Sequence, residues 1–286
     1  MKNSRDNGFV DLHVHTTYSD GTFTPEKVVE KAVEMGLKAI AVTDHDCVDG
    51  IGPTMEAARG TGLEVIPGVE ISAAKDETEI HILGYFIGWQ DPFLLEIFRK
   101  MRENRTERMK KMIHLLHRQG IDLDADRVFA VVSEGTAGRL HLARVMAEEN
   151  ITRDEQEAFD RYIGNGKPCH VAHKRLDYGK AIDIIKKAGG VPVLAHPGTM
   201  GKDEYIPFYV QAGLRGIEVY HSEHHTSTND KYLAIARKYN LLVTGGSDCH
   251  GMKKGRVLIG KVKVGYEVVE NLRAEAEKIQ RSNRKT

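Results

Sequence analysis

FVDLHVH, residues 9–15, decides the fold: Val10, Leu12 and Val14 alternate with Asp11, His13 and His15, so one β-strand carries two imidazoles on the same face at its C-terminal end. Working outward, the same pattern returns along the chain. KAIAVTDH (38–45) ends on His45, LEVIPGVEIS (63–72) has Glu70 near its end, GGVPVLAHP (189–197) closes on His196, and LLVTGGSDCH (241–250) closes on Asp248 and His250. GIEVYH (216–221) ends on His221, whereas EIHILGYFI (79–87) carries His81 early. These seven runs are predicted strands.

Helical patterns separate the first three runs. One starts at Thr24, an N-cap followed by Pro25 at the first helical position, with Lys27 where a capping box would have Glu or Gln. It sets Val28, Val29, Ala32 and Val33 on one expected face and ends at Gly36. Strand, helix, strand predicts parallel pairing. After residue 90 the rhythm changes, because FLLEIFRKMRENRTERMKKMIHLLHRQG (93–120) is one long helical pattern, followed by helical segments at 138–149 and 152–163. The expected fold is therefore α/β, an incomplete or distorted barrel over residues 1–90 and 176–286, with a helical insertion over 91–175.

Composition narrows the function classes. The 286 residues are 41% hydrophobic and 29% charged, ordinary for a globular chain. Lys plus Arg (41) balances Asp plus Glu (41), so no global field draws the chain to duplex nucleic acid or anionic lipid, and any phosphate recognition is local. Cys47, Cys169 and Cys249 have no CxxC spacing, which points away from a disulfide framework and from a thiolate zinc site and fits a reducing cytoplasm. MKNSRDNGFV has no apolar signal core, and no stretch reaches the roughly 18 apolar residues of a membrane span. A cytoplasmic protein without a membrane partner is expected.

In parallel α/β folds the C-terminal strand ends form the active-site face, so the scattered His, Asp and Glu residues converge. One such histidine is more often a hydrogen-bonded structural residue. Nine polar residues on apolar strands, however, would be a costly core unless ions neutralised it. The candidate metal ligands are His13, His15, Asp20, His45, Glu70, His81, His196, Asp248 and His250, with Asp20 reaching back from the loop TTYSDG. Imidazole with carboxylate and no thiolate suits Mn, Zn or Fe(II) in a catalytic site. His221 and His224 in VYHSEHH are candidates for contact with substrate, for proton transfer or for orienting a ligand. His114 and His117 are read as a helix face.

The motifs DLHVHTTYSDG, VTDHD, PGVEIS, EIHILGY, LAHP and GSDCHG, in this order across nearly the whole chain, resemble the PHP (polymerase and histidinol phosphatase) domain family of amidohydrolase-like barrels. The resemblance implies a distorted (β/α)7 TIM-like barrel with three divalent metal ions, Mn foremost with Zn or Fe as alternatives. It implies one metal on His13, His15, Glu70 and Asp248, a second on Glu70, His81 and His196, and a third on Asp20, His45 and His250. Glu70 would bridge the first two, and Glu70, Asp248 and His196 would be catalytic. The insertion resembles that of the family's stand-alone phosphoesterases. Within it, GRLHLARVM (138–146) and GKPCHVAHKRL (166–176) resemble phosphate-recognition segments, which assigns Arg139, His141 and Lys174 to the substrate, although Leu140 stands where the pattern has Pro.

The implied reaction is metal-dependent hydrolysis of nucleotide phosphate monoesters, 3',5'-nucleoside bisphosphates or mononucleotides, by a metal-activated hydroxide. One alternative is a 5'-3' exoribonuclease on short oligoribonucleotides. Another is a catalytically silent, metal-stabilised binding module, whose signature would be missing ligands; all nine are present.

Overall fold

The computed structural model describes residues 8–132, 137–172, 175–253, 256–262 and 264–285. Before the insertion come β1 (Phe9–Val14), β2 (Ala39–Val42), β3 (Glu64–Lys75) and β4 (Thr78–Tyr85). After it come β5 (Leu176–Asp177), β6 (Val191–Leu194), β7 (Gly216–His221) and β8 (Leu242–Gly246). Two-residue strands β9 (Met252–Lys253) and β10 (Arg256–Val257) pair with each other, and β11 (Val264–Gly265) pairs with β1. The main sheet runs β11-β1-β2-β3-β4-β6-β7-β8, with β5 on β3.

The sheet curls shut beyond the end of β8. Val14 bridges Cys249 in parallel, the His15 amide donates to the Cys249 carbonyl at 3.0 Å, and the Cys249 amide donates to the His13 carbonyl at 3.3 Å. Gly246 is what the approach requires, since a Cβ there would stand 2.3 Å from the Cβ of His13.

Strands β1, β2 and β3 pair in parallel, as do β6, β7 and β8. β4 is antiparallel to both β3 and β6. Only Asp76 and Glu77 join β3 to β4, far too few residues for a crossover. The start of β4 therefore lies where the other strands end, which explains why His81 falls early in its strand.

Helix α1 (Pro25–Glu34) starts as expected, the Thr24 hydroxyl accepting from the Lys27 amide at 3.4 Å. Val28, Val29 and Ala32 are buried, but Val33 is 44% exposed. At about 100° per residue Val33 lies well off the stripe centred on Val28 and Ala32, so the expected face was one residue too wide. α2 (Ile51–Ala57), α7 (Tyr178–Lys187), α8 (Pro197–Met200), α9 (Ile206–Ala212), α10 (Thr226–Tyr239) and α11 (Glu267–Asn283) complete the barrel's helices. Leu12, Ala41, Ile66, Leu83 and Val193 fill the interior. Ile71, Ala73 and Ile82 face outward against Ile182, Ile185 and Tyr209. Each fully buried aliphatic side chain contributes about 1.5–3 kcal/mol.

The insertion comprises α3 (Pro92–Arg118), α4 (Ala125–Val132), α5 (Arg139–Glu148) and α6 (Glu155–Ala158), the last running into a π-turn at Phe159–Ile163. α4 is additional to the helical segments legible in the sequence. Met112, Leu116, Leu142, Val145 and Met146 form a separate core, while Leu94 and Phe98 of α3 sit in the barrel's. α3 thus spans both cores. Among the described residues no helix is long and apolar enough to cross a membrane.

Candidate metal centre

Glu70, fully buried on the inward face of β3, is the point on which the strand ends converge. Its Oε2 lies 3.1 Å from His13 Nε2, 3.2 Å from His15 Nε2 and 3.2 Å from His45 Nδ1. Its Oε1 lies 2.8 Å from His81 Nδ1 and 3.0 Å from His196 Nε2. Asp248 brings Oδ1 to 3.1 Å from His15 Nε2, and Asp20 brings Oδ1 to 3.2 Å from His250 Nε2. Asp20 reaches the cluster because its loop folds against β1, where a Cβ on Gly21 would lie 2.8 Å from the His15 carbonyl.

The donor set fits divalent cations. A carboxylate offers about four acceptor positions, and here five imidazole nitrogens crowd one. His15 Nε2, His45 Nδ1, His81 Nδ1 and Asp20 Oδ1 are buried, and their close contacts are not aligned as hydrogen bonds, an arrangement that costs stability unless something else binds them. Single ligand atoms of His13, His15, Glu70 and Asp248 lie within 4.8 Å of one another. The same holds for His15, Asp20, His45 and His250, and for His45, Glu70 and His81. His196 joins His81 on Glu70 Oε1. All nine candidate ligands are brought together.

Protonation in the metal-free protein tells the same story. Burial opposes ionisation of Glu70, Asp20 and Asp248, yet the surrounding imidazoles outweigh it and hold all three well below the usual carboxylate range. Burial also opposes charge on His81 and His250, but Glu70 and Asp20 respectively push them up to about 10. His45 loses to burial and falls to about 4 despite Glu70 and Asp20. Protons on His81 and His250 thus stand in for the positive charge that ions would supply.

The supporting residues were less legible. Glu218 on β7, fully buried, lies 3.1 Å from His13 Nδ1 and accepts from the His196 amide at 2.8 Å. It fixes which nitrogen of His13 faces Glu70 and holds His196 at φ +23°, a strained value for a non-glycine residue. The available signal was a lone acid at the centre of the apolar strand GIEVYH. Asp44 accepts from the Thr16 amide and hydroxyl, both at 2.7 Å, and from the Ser19 hydroxyl at 2.5 Å, which pins the loop carrying Asp20.

His221 and His224 part company. His221 is buried, with Nδ1 accepting from the Glu223 amide at 3.2 Å and Nε2, which then carries the proton, 3.5 Å from Asp248 Oδ2. It faces the centre. His224 donates from Nδ1 to the Val219 carbonyl at 2.8 Å and accepts at Nε2 from the Gly198 amide at 3.1 Å. Both of its nitrogens are committed to backbone, so it clips the start of α8 rather than offering a free group to a substrate.

Over the mouth, α5 brings buried His141, whose Nδ1 accepts from the Gly138 amide at 3.1 Å. Arg139 donates to Asn165 Oδ1 at 3.0 Å with its guanidinium over Phe159. Lys174 lies outside the described residues. The sequence reading passed over three more arginines. Arg105 pairs with Asp46 and donates to the Ser72 hydroxyl at 2.7 Å, Arg108 donates to the Val171 carbonyl at 2.7 Å, and Arg175 donates to Glu79 at 2.5 Å. Burial lowers Arg108 to about 10, and repulsion from Arg139, Arg105 and Arg175 adds to it. Arg105 Nε, Arg108 Nη2 and Arg175 Nε are buried without partners. Asp46 and Glu79 answer two of these guanidiniums, while Arg108 has only the Val171 carbonyl. Two of the four, Arg105 and Arg108, lie three residues apart on α3.

A model of the PHP domain matches residues 11–165. The chain belongs to the PHP domain family. This PHP protein is 32% identical over 252 residues to a 3',5'-nucleoside bisphosphate phosphatase of Chromobacterium violaceum, covering 86% of this chain and 88% of that protein. It is also 32% identical to the 5'-3' exoribonuclease Rnm of Escherichia coli, over 84% of each chain, and to the phosphoribosyl 1,2-cyclic phosphate 1,2-diphosphodiesterase of Eggerthella lenta, over 86% and 95%. Its fold superposes on a protein assigned as a metal-dependent phosphoesterase from Bifidobacterium adolescentis with a TM-score of 0.84, at 30% identity, covering 92% of this chain and 94% of that one. PHP membership makes the chain a metal-dependent hydrolase of phosphate esters, and its His and carboxylate groupings are able to bind the metal.

Proposed function

We propose that the chain hydrolyses phosphate monoesters of nucleotides, 3',5'-nucleoside bisphosphates foremost, with three divalent cations on the nine converging ligands. Manganese is the first choice, and zinc or iron the alternatives. The observation that carries this reading is the pairing of two charge sites: a buried His and carboxylate cluster around Glu70, and a group of arginines above it. A bisphosphate has one phosphate for each. When bound, the cations supply charge neutralisation at the phosphoryl group and water acidic enough to act near neutral pH. Glu70, Asp248 and His196 bound the reacting centre, Glu218 orients His13 and His196, and His221 presents its Nε2 proton toward Asp248. Arg139, Arg108 and Arg175 hold the distal phosphate, with His141 and Lys174 as further contacts.

The relatives support this reading, as they include a bisphosphate phosphatase. A second reading, 5'-3' exoribonuclease action on short RNA, is favoured by the Rnm relative and by the same arginines, which suit the 5'-phosphate of an oligonucleotide equally well. A silent binding module is disfavoured by the convergence of all nine ligands. The test is metal analysis of the purified protein, followed by phosphate release from mononucleotides, 3',5'-bisphosphates and histidinol phosphate. Preferred hydrolysis of bisphosphates is expected, and activity confined to histidinol phosphate would overturn the reading.

A further inference from the structure

Glu79 stands two residues before His81 on β4, on the same face of the strand by alternation. Its Oε2 accepts from Arg175 Nη2 at 2.5 Å, and its Oε1 lies 3.8 Å from His81 Nε2, an ion-pair distance beyond a hydrogen bond. His81 turns its other nitrogen, Nδ1, to Glu70 Oε1 at 2.8 Å. Glu70, His81, Glu79 and Arg175 therefore form one chain of alternating charge from the candidate metal centre to the arginines above it. Burial opposes the charge on Glu79, yet His81, Arg175 and Arg139 outweigh it and hold the carboxyl well below its usual range. The same carboxylate attracts Arg139, Arg108 and His170, which otherwise repel one another. Its side chain is 38% exposed, so it has room to shift.

We propose that Glu79 is a positioning residue that couples the two phosphate sites: it occupies Arg175 while the distal site is empty and closes onto His81 when a distal phosphate takes Arg175. The proposal rests on the phosphoesterase reading above and deepens it. Arg175 spends Nη2 on Glu79 and keeps a buried Nε without a partner, so its fork still has donors for a second anion. A phosphate carries about two charges against one and takes a guanidinium bidentately, which favours it over the single contact of Glu79. Released from Arg175, the carboxylate faces the Nε2 proton of His81, and a short movement closes the 3.8 Å to a hydrogen bond. A carboxylate on the outer nitrogen of a histidine ligand fixes the ring and makes the inner nitrogen a stronger donor to a cation. The distal phosphate thereby tightens the metal centre that cleaves the other phosphate, and by linkage a filled centre favours the distal phosphate. A mononucleotide whose one phosphate sits at the metals leaves Glu79 on Arg175.

The test is a double-mutant cycle read in manganese affinity, by competitive titration of wild type, Glu79→Gln, Arg175→Gln and the double variant, in sodium sulfate and in sodium chloride of equal ionic strength. Sulfate imitates the charge and shape of the distal phosphate and is not hydrolysed. It should raise wild-type affinity about fivefold or more and leave that of each variant within about twofold. In chloride, Arg175→Gln should already bind manganese about fivefold more tightly than wild type, because Glu79 is released, whereas adding it to Glu79→Gln should change affinity less than about twofold. Melting temperatures of the metal-free proteins show whether the variants fold, and the sulfate response of Glu79→Gln decides alone should Arg175→Gln melt early. A sulfate effect that survives in Glu79→Gln, or an Arg175→Gln effect of equal size with and without Glu79, would reduce Arg175 to a general repulsion on the cations and overturn the coupling. Weaker manganese binding by Arg175→Gln would overturn it too. A wild type that binds no manganese, or releases no phosphate from a 3',5'-bisphosphate, would instead defeat the parent reading.

Discussion

Glu218 illustrates how much a residue that need touch neither metal nor substrate can matter. Its carboxylate holds a ring nitrogen of His13 and the amide of His196 at once, so two candidate ligands depend on one buried charge. Glu218→Gln keeps the shape and loses the charge. It should lower metal affinity or activity about 10- to 100-fold while the protein stays folded, as read by competitive metal titration and circular dichroism. Protons give a second prediction at this scale. His81 and His250, raised to about 10, stabilise the metal-free protein fully below their unfolded value of 6.5, and this contribution is lost as pH rises through about 10. His45, lowered to about 4, works oppositely, adding stability as pH climbs from about 4 to 6.5. Metal-free stability should therefore peak near neutrality. Metal binding must remove the protons on His81 and His250, so affinity should rise with pH until about 10. Calorimetric titration at pH 7.5 in two buffers of different ionisation enthalpy should register proton release; identical heats would contradict the assignment.

At the scale of elements, α3 ties barrel to insertion, and its arginines divide by role. Arg105 is paired with buried Asp46, whereas Arg108 has a backbone carbonyl and repelling cations around it. Arg105→Ala should therefore destabilise by about 3–5 kcal/mol, because it strands a buried carboxylate. Arg108→Ala should change stability by less than about 1 kcal/mol, since relieved repulsion offsets a lost hydrogen bond, yet raise KM for nucleotides more than about tenfold. Denaturant unfolding beside steady-state kinetics separates the two. These arginines also mark the boundary of what sequence reveals. The strands were legible because alternation repeats over several residues, and the ligands because His, Asp and Glu kept recurring at strand ends. A charge stripe on a long helix looks the same whether solvent or substrate faces it, so the helical pattern over 93–120 assigned Arg105 and Arg108 no role. Glu218 was one acid in one strand, with no second occurrence to lift it above chance. The reversed direction of β4 lay in two residues, Asp76 and Glu77, whose count forbids a crossover.

For the molecule as a whole, ions bound as proposed would cross-link the barrel. The candidate ligands come from β1 and the loop after it, the segment after β2, the middle of β3, the first half of β4, the turn after β6 and the segment beyond β8 that closes the seam against β1. The insertion holds a core of its own around Met112, Leu116 and Leu142, none of which contributes a ligand. Chelation should consequently be felt unevenly. A set of ions at a hundredfold excess over its dissociation constant adds about 2.7 kcal/mol to the folded state. For a chain of this size that corresponds to a melting temperature roughly 5–10 °C lower after EDTA treatment, recovered on adding back manganese or zinc. Hydrogen exchange locates the loss. Protection should fall at 9–15, 64–75, 78–85 and 191–200, where the ligand-bearing strands meet, and hold at 109–118 and 139–148, where the insertion packs on itself. Uniform loss across both regions would mean that α3, running through both cores, makes them melt as one cooperative unit and that the cluster braces the whole chain instead of the barrel alone.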